Sequence, residues 1–238
     1  PPRSTLFPYT TLFRSRWRGY DVPPKSNANY GWILNMVSKL SDNGVAGFIL
    51  ANGALSGGGD EYKIRRKLIE NNLVEAILVL PRNLFYTTDI SVTLWIINKN
   101  KKARTKKVGD ETRNYRGREK EILFMDLRQM GEPFEKKYTQ FSDTDIKKVV
   151  GTYHQWQTRD IENVPEFCYS ASFDEIAAKD FSLVPSKYIE FVNRDENIDF
   201  DNKMKALQSE FAELLKAEDS SRQELLSVFE NLGYKIEL

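Results

Sequence analysis

Residues 73–98, LVEAILVLPRNLFYTTDISVTLWIIN, decide the reading of this chain. Two near-continuous apolar runs, each long enough for one buried strand, are joined by a segment whose middle, Leu84-Phe85-Tyr86-Thr87-Thr88, is aromatic and polar. Buried strands usually hand over through Gly, Pro, Asn or Asp, so a Phe-Tyr pair at the connection either packs on something or presents a ring to something. Phe85 and Tyr86 are therefore the first candidates for a binding surface, and a planar π-face at a strand end suits base stacking.

Working outward, Tyr30, Ile33, Met36, Val37 and Leu40 fall at helical spacing over 27–40, and Ser41-Asp42-Asn43-Gly44 closes that helix with a turn. Val45–Ala51 reads as a buried strand, and a helix is expected over 61–72 behind Gly57-Gly58-Gly59. With strands at 74–80 and 91–98 the order is helix, strand, helix, strand, strand, an α/β pattern whose uniformly apolar strands call for cover on both faces. Glu121–Asp126 returns to strand character. Ser142-Asp143-Thr144-Asp145 and Ser172-Phe173-Asp174-Glu175 have capping-box spacing and open helices reaching Trp156 and Lys179.

With 238 residues, 40% of them apolar and 12% aromatic, the chain can bury a sizeable core. The 35 basic and 34 acidic residues nearly cancel, but they are unevenly placed. Lys99–Lys120 holds ten Lys/Arg against three Asp/Glu, whereas Asp195–Leu238 holds five against eleven. The basic run reads as a flexible excursion between strands, and Lys101, Lys102, Arg104, Lys106 and Lys107 are its candidates for DNA-backbone contact. One cysteine, Cys168, excludes an internal disulfide and a Cys-cluster metal site. One histidine, His154, leaves no Ser/His/Asp or Cys/His set, so both are read as structural: a small buried hydrophobe and a helix-surface side chain. No run approaches the roughly 18 to 20 apolar residues that span a bilayer, and a cytoplasmic setting is expected.

The stretch from Asn27 through Lys101, with its NANYGWILNMVSKL, GVAGFILANGALSGGG and LVEAILVLPRNLFYTT segments, resembles the second half of the methyltransferase domain of modification (M) subunits of type I restriction-modification systems. The similarity runs from about Trp17 to the C-terminus. It implies the carboxyl-terminal half of a Rossmann-like, S-adenosylmethionine-dependent methyltransferase sheet ending in an antiparallel hairpin, followed by a mainly helical extension. The implied reaction is methylation of the N6 amine of adenine in double-stranded DNA. Partners implied are the DNA and a specificity subunit docked on the C-terminal helices, with an endonuclease subunit left open. On this view 16–130 is the half-domain, 131–194 a helix and loop extension, and 195–238 an acidic helical tail.

Family enzymes hold S-adenosylmethionine on a Gly-containing loop after their first strand and orient the amine with an Asn/Asp-Pro-Pro-aromatic tetrapeptide. Neither is in this sequence, and Val22-Pro23-Pro24-Lys25 lacks both the polar residue and the aromatic, so no catalytic residue is assigned. The resemblance places Phe85 where an aromatic stacks on an adenine swung out of the duplex, with Tyr86 beside it. Asn52, ending a strand at its carboxyl edge, serves either that pocket or a plain turn. Asp60 and Glu61 beside Gly57–Gly59 disfavour a phosphate there and favour a mobile loop. The chain alone is expected to be inactive, with an open parallel sheet edge and poor solubility. A reading of another class makes it a non-catalytic DNA-binding or subunit-assembly module on the same partial sheet.

Two segments stand apart. Residues 1–15, PPRSTLFPYTTLFRS, resemble translated sequencing-adapter DNA and are set aside as an artefactual segment. From Asn202 on, Met204, Leu207, Phe211, Leu214, Leu225, Val228 and Leu232 keep a three-four spacing interrupted by Glu218 and Ser221. Either one long helix with a polar layer or two helices folding back at Asp219-Ser220-Ser221 fits, and both need a partner for the apolar stripe.

Overall fold

The computed structural model describes residues 17, 19–192 and 199–234. Residues 1–15, and the parts of the acidic tail at 195–198 and 235–238, lie outside the described residues. Two compact units are present, one running to Phe191 and the other starting at Val192.

The first unit is built on a five-stranded sheet. Helix α1 (Asn29–Lys39) leads into β1 (Val45–Ala51), and helix α2 (Gly59–Glu70) into β2 (Val74–Val79) and β3 (Val92–Asn98). After a two-stranded hairpin, β4 (Arg104–Val108) and β5 (Glu111–Tyr115), come β6 (Glu121–Asp126) and a second small hairpin, β7 (Glu132–Phe134) and β8 (Tyr138–Gln140). Helix α3 (Asp143–Thr158), strand β9 (Cys168–Ser172) and helix α4 (Phe173–Ala178) complete it. The sheet order is β1-β3-β2-β6-β9, with β2 and β6 parallel and the other pairs antiparallel. The antiparallel β2–β3 hairpin is the one expected from residues 73–98.

Side-chain alternation explains why β2 and β6 are apolar throughout. Ile77 and Phe124 point into one cluster with Tyr30, Ile33, Ile64, Leu68 and Trp95, while Leu78 and Met125 point into another with Leu80, Leu127 and Trp156. Helices α1 and α2 thus supply one face and α3 the other. Both capping boxes form: Ser142 Oγ accepts from the Asp145 N–H, and Ser172 Oγ from the Glu175 N–H, with each carboxylate returning to the Ser N–H.

Several expectations are corrected. Strand β1 is not buried on both faces; exposure alternates along it, with Val45 and Ile49 52% and 46% exposed, because β3 is its one hydrogen-bonded neighbour among the described residues. The 99–120 excursion is not irregular but carries the β4–β5 hairpin. Its ends are anchored: the Arg118 guanidinium meets Glu75 Oε1 at 3.1 Å and donates to the carbonyls of Arg116 and Gln157. The 131–194 stretch packs on the same sheet, since β9 pairs with β6 and Leu183, Tyr188 and Ile189 are core residues, Tyr188 stacking on Phe124 at 4.2 Å. The Gly57–Gly59 loop is tied down rather than loose, for Arg65 donates to the carbonyls of Gly57 and Phe181.

The second unit is a single helix, α5 (Phe200–Asn231), capped by Asp199, which decides between the two readings of the tail in favour of one continuous helix. None of its residues is buried, and Arg222 pairs with Glu218 one turn away inside the polar interruption.

Candidate nucleic-acid interface

In a sheet where β1, β2 and β6 run the same way, their carboxyl ends share one edge, and that edge is where open α/β sheets take ligands. Three segments meet there. Asn52 starts a 3-10 turn, Asn52–Leu55, directly after β1, and its side chain is exposed. Residues 80–91 cross from β2 to β3, and residues 127–141 leave β6 and carry the β7–β8 hairpin.

Within the crossing, the Thr88 N–H donates to the Phe85 carbonyl at 3.2 Å and the two residues form an isolated antiparallel bridge. Tyr86 and Thr87 therefore sit at the tip of a tight turn. Phe85 is half-buried against the cluster containing Leu80, Val92 and Leu127, so its ring is neither walled in nor fully open. Tyr86 is 67% exposed and meets the Tyr138 ring edge to face with centroids 4.8 Å apart. The Thr139 N–H donates to the Asn83 carbonyl at 3.0 Å, and Lys137 Nζ lies 3.9 Å from Asp89 Oδ1. Asn83 has φ 58°, a left-handed conformation that Asn tolerates better than most residues. Arg128, Lys136, Lys137 and Tyr138 border a cleft of about 400 Å³ along the 127–141 segment, with Pro81 of the crossing at its rim. Tyr138 carried no signal in the sequence; it is one aromatic in a short polar stretch whose strands are three residues each.

The basic run is elsewhere. Val45 pairs with Asn98, so the hairpin that follows β3 leaves the sheet at the opposite edge from Phe85. The seven residues of β3 separate the two, about 20 Å at roughly 3.3 Å per residue. The phosphate role expected for Lys101 is corrected outright. Lys101 is 3% exposed, and its Nζ donates to the carbonyls of Val74 and Glu121 at 2.9 and 2.5 Å. Burial, offset by Glu75 and Glu121, draws its ammonium down to a pKa of about 8. Lys102, Lys106 and Lys107 are exposed, while Arg104 is half-buried, bonded to Asn43 and lying over the Tyr115 ring.

The Gly-containing cofactor loop and the Asn/Asp-Pro-Pro-aromatic tetrapeptide of the family have no counterpart in this sequence. At Gly57 an added Cβ would stand 1.9 Å from Glu61 Oε2, so a carboxylate closes over this loop. No group of three or more His, Cys, Asp or Glu that could hold a metal occurs among the described residues. Cys168 is buried, which raises its thiol, and His154, half-buried, bridges Gln157 and Arg113 at 3.2 and 3.5 Å. No described helix is long and apolar enough to cross a membrane.

This sheet, with its ligand edge closed by an aromatic turn, defines the carboxyl-terminal part of a methyltransferase-type α/β domain. The chain belongs to the N-6 DNA Methylase family, whose model matches residues 5–197, beginning inside the 1–15 segment and ending short of α5. It is 36% identical over 222 residues to the type I restriction enzyme HindI methylase subunit of Haemophilus influenzae, covering 92% of this chain and 46% of the relative. It is 33% identical over 216 residues to the MjaIX methylase subunit of Methanocaldococcus jannaschii, covering 90% and 36%. The chain thus spans less than half the length of these curated relatives. Among solved structures it resembles the type I restriction-modification methyltransferase subunit from Streptococcus thermophilus, with TM-score 0.62 and 26% identity over 76% of this chain and 34% of that one.

Proposed function

We propose that this chain is the target-base half of an adenine-N6 DNA methyltransferase subunit of a type I restriction-modification system. The observation that carries the reading is the Phe85–Thr88 turn: in a chain of this family, it sets one half-buried and one exposed ring at the carboxyl ends of parallel strands. A base extruded from duplex DNA needs such a surface, because stacking on an aromatic ring repays roughly 1 to 3 kcal/mol of the unpairing cost.

Phe85 takes the stacking role, since its half-burial fixes the ring in place. Tyr86 and Asn52 rim the same edge. Binding of S-adenosylmethionine and polarisation of the amine are assigned to polypeptide of the whole subunit beyond this chain. The exposed apolar stripe of α5, including Leu207, Phe211 and Leu214, is assigned to docking on the specificity subunit. A cytoplasmic place follows from chromosomal DNA as the substrate.

The test is made at the native locus. Deleting the gene should abolish N6-methyladenine at one sequence motif when the genome is read by single-molecule sequencing. An unchanged set of methylated motifs would leave the non-catalytic module as the better account.

A further inference from the structure

With the β4–β5 hairpin on the far edge, cations beside the aromatic turn come from the crossing itself, where exposed Arg82 donates to the Asp89 carbonyl at 3.4 Å, and from a neighbouring element. We infer that the β7–β8 hairpin is that element: Lys136 and Lys137 contact the phosphates of the strand whose base the turn receives, and Tyr138 positions Tyr86. The inference rests on the proposed base-binding role of the turn and adds the DNA-backbone contact to it.

Four observations converge. The hairpin leaves the carboxyl end of β6 beside that of β2, so it rises from the ligand edge itself. It is fastened to the turn at separate points, the Thr139–Asn83 hydrogen bond and the Tyr86–Tyr138 ring contact. Its own root cannot drift: Gly131 has φ 95°, and a Cβ there would stand 2.7 Å from Thr139 Cγ2 and 2.9 Å from the Gln140 carbonyl, so only glycine lets the chain pass. Its cations are available. Lys136 is exposed, and Lys137 lies over the Tyr138 ring at 5.2 Å and makes a long, solvent-exposed pairing with Asp89, an interaction worth about 0 to 1 kcal/mol that a phosphate displaces readily.

The neighbouring charges agree with this division. Arg128 is committed to Asp126 at 2.6 to 3.0 Å and lies over the Phe191 ring, so it is not counted as a phosphate contact. Glu132 is held by Gln140 Nε2, and Glu135 occupies the hairpin tip between Phe134 and Lys136 with φ 54°. The cleft of about 400 Å³ along the hairpin, lined by Lys136, Lys137 and Tyr138 with Pro81 at its rim, gives the backbone of one strand a path beside the lysines.

The experiment is fluorescence anisotropy of the full chain with a labelled duplex carrying one unpaired adenine, titrated over a series of salt concentrations. Each lost phosphate contact reduces the slope of log K against log salt by about 0.9, so Lys136→Gln with Lys137→Gln should reduce it by about 1.8. Lys106→Gln with Lys107→Gln should leave it unchanged. Tyr138→Phe should retain, and Tyr138→Ala weaken, the preference for the unpaired adenine over a fully paired duplex. A wild-type slope in the Lys136/Lys137 variant, or no salt-dependent binding by the parent chain, overturns the inference. Phe85→Ala separates the two readings. If it loses the unpaired-adenine preference while the lysine pair changes nothing, the base site stands and the hairpin contact falls. If the lysine pair flattens the slope while Phe85→Ala keeps the preference, the hairpin contact stands and the base site falls.

Discussion

Arg118 and Glu75 form an ion pair at 3.1 Å with side chains 1% and 0% exposed, and this pair ties the basic hairpin to the central strand β2. Gln157 Nε2 donates to the same carboxylate oxygen, and the guanidinium also lies 5.5 Å from the Trp156 ring centre. Burial beside this carboxylate also raises the Tyr153 phenol well above its ordinary range. Removing one partner leaves a buried charge without its counterion, a loss of about 3 to 5 kcal/mol, whereas replacing both by apolar residues of similar volume is often neutral. Arg118→Met should therefore unfold at much lower urea than the parent chain, and Glu75→Met/Arg118→Met should recover most of the difference. A single variant as stable as the double would contradict the buried pairing.

Lys101 makes stability depend on pH in the alkaline range. Its folded pKa, about 8, lies below the ordinary lysine value of 10.5, so between those values the unfolded chain holds more proton than the folded one and stability rises with pH. Below pH 8 both states are protonated and the full penalty of burying the ammonium is present. Urea midpoints measured from pH 7.5 to 9.5 should climb in the parent and stay flatter in Lys101→Met; the range stops there because Tyr30, raised to about 12 by burial, opposes the trend once unfolded tyrosines ionise near 10. Equal slopes in the two proteins would refute the assignment.

The two capping boxes give separable effects. Ser142→Ala and Ser172→Ala each remove a side-chain acceptor for an otherwise unbonded helix N–H and should each cost about 1 kcal/mol. Because the two helix starts are far apart in sequence and share no partner, the double variant should show the sum within experimental error in urea denaturation.

These caps were legible because a Ser followed three residues later by an acid is a local signal, as was the β2–β3 hairpin with its dense apolar runs. What escaped was set by distant partners. The β4–β5 hairpin has strands mostly of Arg, Lys, Thr and Asn, with Val108, Glu111 and Tyr115 at their ends, so no apolar alternation marks it, and its root is stabilised by Lys101 and Arg118 reaching back into the sheet. Strand β9, Cys-Tyr-Ser-Ala-Ser, is weak in local propensity and exists because β6 offers it an edge. Phe85 and Tyr86 were visible as aromatics at a strand end, but Tyr138 was not, because its contact with Tyr86 depends on β2 and β6 lying side by side. Lys101 shows the converse: in a run of cations, only the fold tells which one is buried.

The outer edge of β1 carries a further expectation. Val45 and Ile49 stand exposed on a strand with one described neighbour, a template for pairing between chains. Ile49→Lys should shift the chain toward monomer in sedimentation velocity and reduce precipitation on concentration, since a charge on an edge strand opposes edge-to-edge association. Identical sedimentation of variant and parent would place self-association elsewhere.

The claim on which the functional account depends is that the Phe85 ring receives the extruded adenine. It is tested most directly by the initial rate of tritiated methyl transfer to DNA by the complex purified from its native locus, comparing Phe85→Ala and Phe85→Trp with the parent. Loss of a stacking contribution of roughly 1 to 3 kcal/mol predicts a fall of about 5- to 150-fold for Phe85→Ala, with near-parental rates for Phe85→Trp and an unchanged melting temperature for both. A Phe85→Ala complex that transfers methyl groups at the parental rate would contradict the account.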